Sequence, residues 1–310
     1  MNTQSDALRD MPVPSQAVSS AVLSPIQTLG WSIRREFWEN RSLYIAPLAV
    51  AGVVLLGFLL TVFRLPEKIR TAASQGPMQL HELIQHTFDI ASALLMITFL
   101  LVAVFYCIDA LHSERRDRSI LFWKSLPLSD LTVVLSKASI PFLLLPLFAF
   151  AVTVVTQVVM LFLSSAVLRA SGLSVAMLWH ELSFFRMSLL LLYHLFTVHV
   201  LWEAPFYAWF LMISAWARRA AFMWAVLPPF AVCVFEKMLF NTSHFARFLE
   251  DRLSGAGLDA IMAPGTMPMD PMTHITPAKI LGAPGLWIGL AVAAAFLYAA
   301  VRLRRYQGPI

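Results

Sequence analysis

Charged residues and cysteines are scarce in this chain. Only 13% of its 310 residues are charged, against about 25% in soluble proteins. Hydrophobic residues make up 59%, and the mean hydropathy is +0.71. This composition excludes an ordinary soluble domain and predicts an all-α, polytopic integral membrane protein. The two cysteines, Cys107 and Cys233, fall in apolar runs, which argues against a disulfide framework and predicts reduced packing thiols.

Motifs for nucleotide chemistry are also missing. The sequence contains no G-x-x-x-x-G-K-[ST] motif and no Gly-Lys pair. Because a phosphate-binding loop needs that glycine-rich backbone and lysine, we expect no ATP hydrolysis by this chain and no cofactor bound to it. Since the ATP-binding motif is absent, we expect that this chain is not an enzyme and that ATPase activity belongs to a partner subunit. No Ser-His-Asp or Cys-His arrangement is supported beyond composition. The net charge of +5 is explained by basic residues beside membrane spans, and nucleic-acid binding is not expected.

What the chain does contain is six apolar runs of about 20 residues, the length that crosses a bilayer as a helix. The fourth run is too long for a simple crossing and contains Pro205, so we expect a kink or break there. Basic clusters at Arg218-Arg219 and Arg302–Arg305 predict that both termini are cytoplasmic. The predicted spans are Leu43–Phe63, Ile90–Ala110, Ile140–Leu163, Met187–Trp216, Ala220–Leu239 and Ala283–Val301.

The segment 25–41, ahead of the first span, has an amphipathic pattern. An apolar stripe recurs at three- and four-residue spacing, and charged residues, Glu36 among them, lie away from it. This pattern predicts a helix lying on the inner membrane surface, with a solvated linker as the alternative. We expect residues 1–24 to form a disordered cytoplasmic tail, 42–305 a six-helix domain and 306–310 a short cytoplasmic tail. The stripe consists of Ile26, Leu29, Ile33 and Phe37.

The loop 111–137, between the second and third predicted spans, is rich in charge. Glu114–Lys137 reads ERRDRSILFWKSLPLSDLTVVLSK, in which a charged group is followed by bulky apolar residues and a Leu-Pro pair. Aromatic and arginine side chains are favoured at the centres of protein interfaces. We therefore predict a cytoplasmic loop with its own helix that another protein binds. The alternative is that Phe122 and Trp123 anchor in the lipid headgroup region.

The predicted outer loop, 240–282, is the longest connection between spans. It begins with a possible helix, Phe245–Leu253, and then becomes rich in Gly, Pro and Met. We expect a partly ordered cap over the outer mouth. Thioether and imidazole groups can bind Cu(I), but chance clustering in a chain with 14 methionines is the better explanation. The weak metal candidates are Met267, Met269, Met272 and His274.

Two sequences, together with the six-span pattern, resemble the ABC-2 type permeases, the membrane subunits of ATP-binding-cassette exporters. They are RSILFWKSLPLSDLTVVLSKA in the loop and SAWARRAAFMWAVLPP at Ser214–Pro229, and the resemblance extends from about Gln27 to Arg305. It implies that 111–137 is a coupling loop that docks on separate ATPase subunits, which use ATP and Mg. It also implies a second permease chain, as a homodimer or heterodimer, in a bacterial cytoplasmic membrane. The docking residues implied are Arg118, Ile120, Leu121, Phe122, Trp123 and Lys124.

Polar and small residues inside the predicted spans provide further candidates. Glu203 lies within the fourth span, and His199 is four residues earlier on the same helical face. An intramembrane carboxylate suggests a pathway or a relay. The alternative is a protonated side chain, or one that satisfies backbone groups freed by Pro205. A small-residue face in the last span predicts close helix packing, within or between subunits; it consists of Gly285, Gly289 and Ala293.

Three functions remain open from the sequence. The first is an exporter permease that forms a translocation pathway, for which apolar and aromatic residues suit amphipathic cargo such as lipids, peptides or hydrophobic drugs. The second is a membrane-embedded enzyme that uses His199, Glu203 or the outer His and Met residues. The third is an anchor or sensor that binds an ATPase and transports nothing.

Overall fold

The computed structural model describes residues 25–125, 128–182, 184–254 and 281–308, and the regular structure in these ranges is all helical. Two π-helical segments, Ile140–Leu144 and Leu195–Trp202, interrupt the third and fourth spans. The predicted tail 1–24 and the Met-rich candidates lie outside the described residues. The α-helices are α1 Pro25–Glu39, α2 Ser42–Val62, α3 Leu65–Gln75, α4 Pro77–Asp109, α5 His112–Arg116, α6 Ser119–Ser125, α7 Asp130–Ser139, α8 Leu145–Ala170, α9 Val175–Leu182, α10 Phe184–His194, α11 Ala204–Trp216, α12 Ala221–Phe240, α13 His244–Ser254 and α14 Pro284–Tyr306.

Six helical segments in the described part of the chain are long and apolar enough to cross a membrane, as the sequence predicts. The second and third are much longer than predicted, because helical hydrogen bonding continues into polar sequence until a breaking residue intervenes. Helix α4 of the second segment, for example, begins at Pro77, directly after Gly76, whose φ of +134° lies where glycine is favoured. The fourth is shorter than the predicted Met187–Trp216, because it ends at Trp202 and Ala204–Trp216 forms a separate, shorter apolar helix. The segments are Ser42–Val62, Met78–Arg116, Asp130–Ala170, Phe184–Trp202, Ala221–Phe240 and Pro284–Tyr306.

The predicted break in the fourth span is confirmed. The π-helical segment ends at Trp202, Glu203 is not helical, and α11 begins at Ala204. Pro205 therefore lies in the first turn of α11, where a missing N–H is tolerated. The N–H of Glu203 donates to the carbonyl of Val198 at 3.0 Å, five residues back, as π-helical geometry requires.

The predicted loop 111–137 is largely helical. It contains α5, α6 and α7, and α7 continues through the first π-helical segment into α8. The two ends of the loop are thus direct extensions of the second and third spans.

Helix α1 forms where the amphipathic pattern predicts it and packs along α7. Its charged residues are divided between two environments. Arg34, Arg35 and Glu39 are exposed, whereas Glu36 is buried, with only 3% of its surface accessible. Charge in the sequence therefore does not identify the solvent-facing side of this helix.

The main apolar core joins α2, α4, α8 and α11, around fully buried side chains such as Leu43, Leu95, Ile140 and Leu211. Helix α11 packs along much of α14. Helix α12 is different, because it buries only Ala221 and Ala225 and exposes its large apolar side chains. Such an outward-facing apolar surface is the expected state of a helix surrounded by lipid tails.

Candidate functional site

The docking residues predicted from the sequence fall into two groups. We call α5 and α6, residues 112–125, the docking segment. Leu121 and Phe122 are 56% and 54% exposed, and Arg118 and Lys124 are also exposed. Ile120 and Trp123 are instead buried at 1% and 6%. Of the predicted residues, a partner could therefore contact the four exposed ones, Arg118, Leu121, Phe122 and Lys124. Ile120 and Trp123 instead hold the docking segment onto its own chain.

The docking segment is held between α1 and the C-terminal residues. The guanidinium of Arg35 lies over the Trp123 ring, 4.4 Å from its centroid, which is cation–π geometry. The ammonium of Lys124 donates to the carbonyl of Gln307 at 3.1 Å. At the corner between α5 and α6, Arg118 adopts a left-handed φ of +58°, which is uncommon for a residue with a side chain.

A group of buried charges lies beneath the docking segment. Nζ of Lys137 is 2.7 Å from Oε1 of Glu36 and 3.0 Å from Oε1 of Glu114. The guanidinium of Arg304 contacts Oε2 of Glu114 at 3.3 Å and Oδ1 of Asp130 at 2.5 Å. We call these five residues the buried ion network. It connects α1, α5, α7 and α14.

Burial makes the buried ion network a strong constraint on this end of the bundle. Four of its side chains are at most 6% exposed, and Asp130 is 26% exposed. Removing an ion from water costs several kcal/mol, so losing one partner of a buried pair destabilises a protein by about 3–5 kcal/mol. The hydroxyl of Tyr106 also donates to Glu36 at 3.1 Å, which satisfies the second oxygen of that carboxylate.

Hydrogen bonds to backbone carbonyls complete the attachment of α5. The guanidinium of Arg115 donates to the carbonyls of Ala215 at 2.6 Å and Ala217 at 3.2 Å. Its Nε donates to Gly308 at 3.2 Å. The hydroxyl of Ser214 accepts the backbone N–H groups of residues 111 and 112, each at 2.9 Å. The start of the docking segment is therefore fixed to the end of α11.

The sequence analysis missed the buried ion network. It identified Glu114 and Lys137 only as the ends of a charged segment, and Glu36 as a residue off an apolar stripe. The pairs it would have needed are far apart in the chain, since Lys137 is separated from Glu36 by 101 residues and Arg304 from Glu114 by 190. The sequence does show single charged residues close to apolar spans, which indicates that these charges need partners. It does not indicate which residues the partners are.

The two intramembrane candidates, His199 and Glu203, are brought together. Nδ1 of His199 lies 3.0 Å from Oε1 of Glu203, whose side chain is 1% exposed. The hydroxyl of Tyr207, which the sequence analysis did not select, donates to Oε2 of Glu203 at 2.7 Å. We call His199, Glu203 and Tyr207 the hinge cluster, because they bridge the break between the π-helical segment and α11.

The hinge cluster borders a narrow pocket. His199 and Tyr207 contribute polar groups, and the rest of the wall is apolar and comes mainly from α4 and α8 and from the π-helical segments. Phe142 stacks edge-on against the Tyr207 ring with centroids 5.8 Å apart. Among the apolar lining residues are Met96, Phe99, Leu100, Pro141, Leu145 and Leu195.

The small-residue face of the last span serves two different contacts. Ala293 packs against Ala204 and Ala208 of α11, within this chain. Gly285 and Gly289 instead make room for the side chain of Arg252 from α13. A Cβ on Gly289 would lie 2.5 Å from Nη1 of Arg252 and 2.7 Å from Nη2.

Arg252 attaches α13 to the break in the fourth span. Its guanidinium lies 4.2 Å from the Trp202 ring centroid and donates to the Trp202 carbonyl at 2.9 Å and to the Gly285 carbonyl. The Trp202 carbonyl needs this donor because the N–H of Phe206 bonds to Glu203 instead. Burial lowers the pKa of Arg252 from its ordinary value, but an arginine remains charged.

No metal site is found in the part of the chain that the structure describes, where no three His, Cys, Asp or Glu side chains group closely enough to hold an ion. The copper candidates Met267, Met269, Met272 and His274 lie outside those residues.

Comparison with known proteins found no matching family model, no matching curated protein and no matching solved structure. The resemblance to ABC-2 permeases is therefore carried by the quoted motifs alone.

We predict that Glu36→Ala destabilises the chain by about 3–5 kcal/mol, because it leaves Lys137 short of a buried counter-charge. The matched control is Glu39→Ala on the same helix, where the carboxylate pairs with Arg35 at the surface and the expected cost is below about 1 kcal/mol. Thermal unfolding in mild detergent measures both. Equal effects of the two substitutions would show that the network does not stabilise this end of the bundle.

We predict that Gly289→Ala loosens α13, because the added methyl group displaces the guanidinium of Arg252. Amide hydrogen exchange across α13 should accelerate. In an Arg252→Ala background the same glycine substitution should add little, since the clash is gone. Gly57→Ala is the control, because a Cβ there meets nothing within 4 Å. Unchanged α13 exchange in Gly289→Ala would contradict the assignment.

Proposed function

We propose that this chain is the permease subunit of an ABC-2 type exporter, which couples to separate ATPase subunits through the docking segment. The observation that carries the proposal is a short helix, α6, that exposes Leu121 and Phe122 while its other face is fixed to the spans. Two adjacent large apolar side chains, flanked by the exposed cations Arg118 and Lys124, have the composition of a small protein interface.

The attachment of the docking segment supports a coupling role. Lys137 is part of the helix that continues into the third span, and Arg304 ends the last span. Both contact Glu114 in the docking segment. A movement of the docking segment is therefore passed to two spans through buried ion pairs, in addition to the direct connection to α4. A loop that only joined two spans would not need this buried attachment.

The proposed assembly contains two ATPase subunits, which bind ATP and Mg, and a second permease chain. The proposed location is the bacterial cytoplasmic membrane, with α1 and the docking segment on the cytoplasmic side. Under this proposal the pocket beside the hinge cluster faces the translocation pathway, and its apolar wall suits amphipathic cargo. Since the chain lacks a phosphate-binding loop, the energy for transport would come from the partner.

We predict that Leu121→Ala together with Phe122→Ala releases the ATPase subunit. The tagged chain is purified from native membranes in mild detergent, and bound proteins carrying a G-x-x-x-x-G-K-[ST] motif are quantified by mass spectrometry. Loss of two central apolar contacts should reduce the amount of bound ATPase at least about tenfold. The thermal unfolding midpoint should not change, because both side chains are exposed.

The matched control is Met238→Ala together with Leu239→Ala, which removes two similarly exposed apolar side chains from the end of α12. This variant should retain the ATPase. Equal losses from both double variants would contradict docking through α6. If no protein with the nucleotide motif stays bound while other membrane complexes remain intact, the permease proposal fails.

A further inference from the structure

Glu203 lies at the break in the fourth span with a proton-carrying group on each side. His199 is one turn before it, and Tyr207 is one turn after it. Tyr207 can only donate its hydroxyl proton to the carboxylate, whereas imidazole can exist with one or two N–H protons. The guanidinium of Arg252 binds the adjacent carbonyl of Trp202. His199 is thus the group that can supply a positive charge directly at Glu203.

The energetic cost of burial favours a neutral pair. A carboxylate removed from water is strongly disfavoured unless a counter-charge or a proton compensates it. When His199 carries one N–H proton and Glu203 is a carboxylate, the pair has a charge of −1. One additional proton makes the pair neutral. The neutral pair is then either imidazolium with carboxylate or imidazole with carboxylic acid. We propose that His199 and Glu203 together form an intramembrane site that binds and releases one proton.

We place the arrival of this proton at the pocket, because His199 is one of its lining residues. Nδ1 of His199 lies 3.0 Å from Oε1 of Glu203. Nε2 is the second polar atom of the His199 ring. A hydronium ion in the pocket gives up one proton: one of its O–H bonds breaks, an N–H bond forms at Nε2, and a water molecule is left. In the carboxylic-acid form the Nδ1–H bond then breaks and an O–H bond forms at Oε1. In either form the charge of the pair rises from −1 to 0.

Four further titratable groups lie near the pair. From α10, His194 has its ring centroid 5.7 Å from that of His199, and Tyr193 packs near the same π-helical segment. Tyr207 faces the pair from α11, and Cys107 on α4 lies near Tyr207. A cationic His199 opposes a second positive charge on His194 by like-charge repulsion.

Proton binding at this position would act on the hinge. Glu203 contacts His199 in the π-helical segment and Tyr207 in α11, so it connects the two halves of the span. An imidazolium contact to the carboxylate is stronger than a neutral one. In its imidazolium–carboxylate form the pair therefore holds the two halves together more tightly. This inference goes beyond the proposed transport function and does not require an ATPase partner.

The test uses the full chain in lipid nanodiscs, labelled with ¹⁵N-histidine and followed by solid-state NMR from about pH 5 to about pH 8. The signal of His199, one of eight histidines, is the one missing in His199→Gln. The ratio of doubly to singly protonated His199 should fall at least about tenfold in Glu203→Gln, measured at one pH, because the carboxylate no longer stabilises the imidazolium. A carboxylic-acid infrared band that is lost in Glu203→Gln would equally place the bound proton on the pair.

His194→Gln is the matched control, since it removes a neighbouring imidazole that lacks the contact with Glu203. This variant should keep or increase the doubly protonated fraction of His199. Either of two results would overturn the inference. In the first, the His199 signal and the Glu203 infrared band both stay constant over the pH range. In the second, Glu203→Gln leaves the ratio of doubly to singly protonated His199 unchanged and also leaves the infrared band in place. Because no ATPase is present, these results are independent of whether the docking segment binds one.

Discussion

One electrostatic constraint governs the end of the helix bundle that carries the docking segment. A charge removed from water must have a counter-charge. Lys137 satisfies it with Glu36 and Glu114, and Arg304 satisfies it with Glu114 and Asp130. These residues come from four helices, so no helix can shift without leaving a buried ion unpaired. The positions of α1, α5, α7 and α14 are consequently set together, and the exposed face of α6 is presented on a rigid support.

The fourth span is governed by the corresponding rule for backbone groups, which also need partners when they are buried. The break before Pro205 redirects the N–H groups of Glu203 and Phe206, and the Trp202 carbonyl then accepts from Arg252. A helix outside the predicted spans thus completes the hydrogen bonding of a helix inside them. Gly289 is required for this arrangement because any side chain there would occupy the space of the guanidinium.

Helices α11 and α14 connect the two polar regions. Near the docking segment, Ala215 and Ala300 share an apolar cluster with Leu111 and Val134. Nearer the hinge cluster, Ala204 and Ala208 pack against Ala293. Small side chains allow two helices to approach closely along their length. Helices α11 and α14 therefore form one closely packed unit, with Arg304 towards one end and the residues next to Glu203 towards the other. Under the proposed function, this unit would carry motion from the docking segment to the hinge cluster.

The all-helical membrane class, the six spans and the break at Pro205 all follow from the amino-acid sequence, because length, hydropathy and proline geometry are local properties. The sequence also selected His199 and Glu203, which lie one helical turn apart. It could not reveal that Ile120, Trp123 and Glu36 are buried, nor that Gly289 faces Arg252, because burial depends on which distant helix packs against each residue. The partners of the buried charges can be identified only in the packed fold, since electrostatic pairing is set by proximity in space and not by separation along the chain.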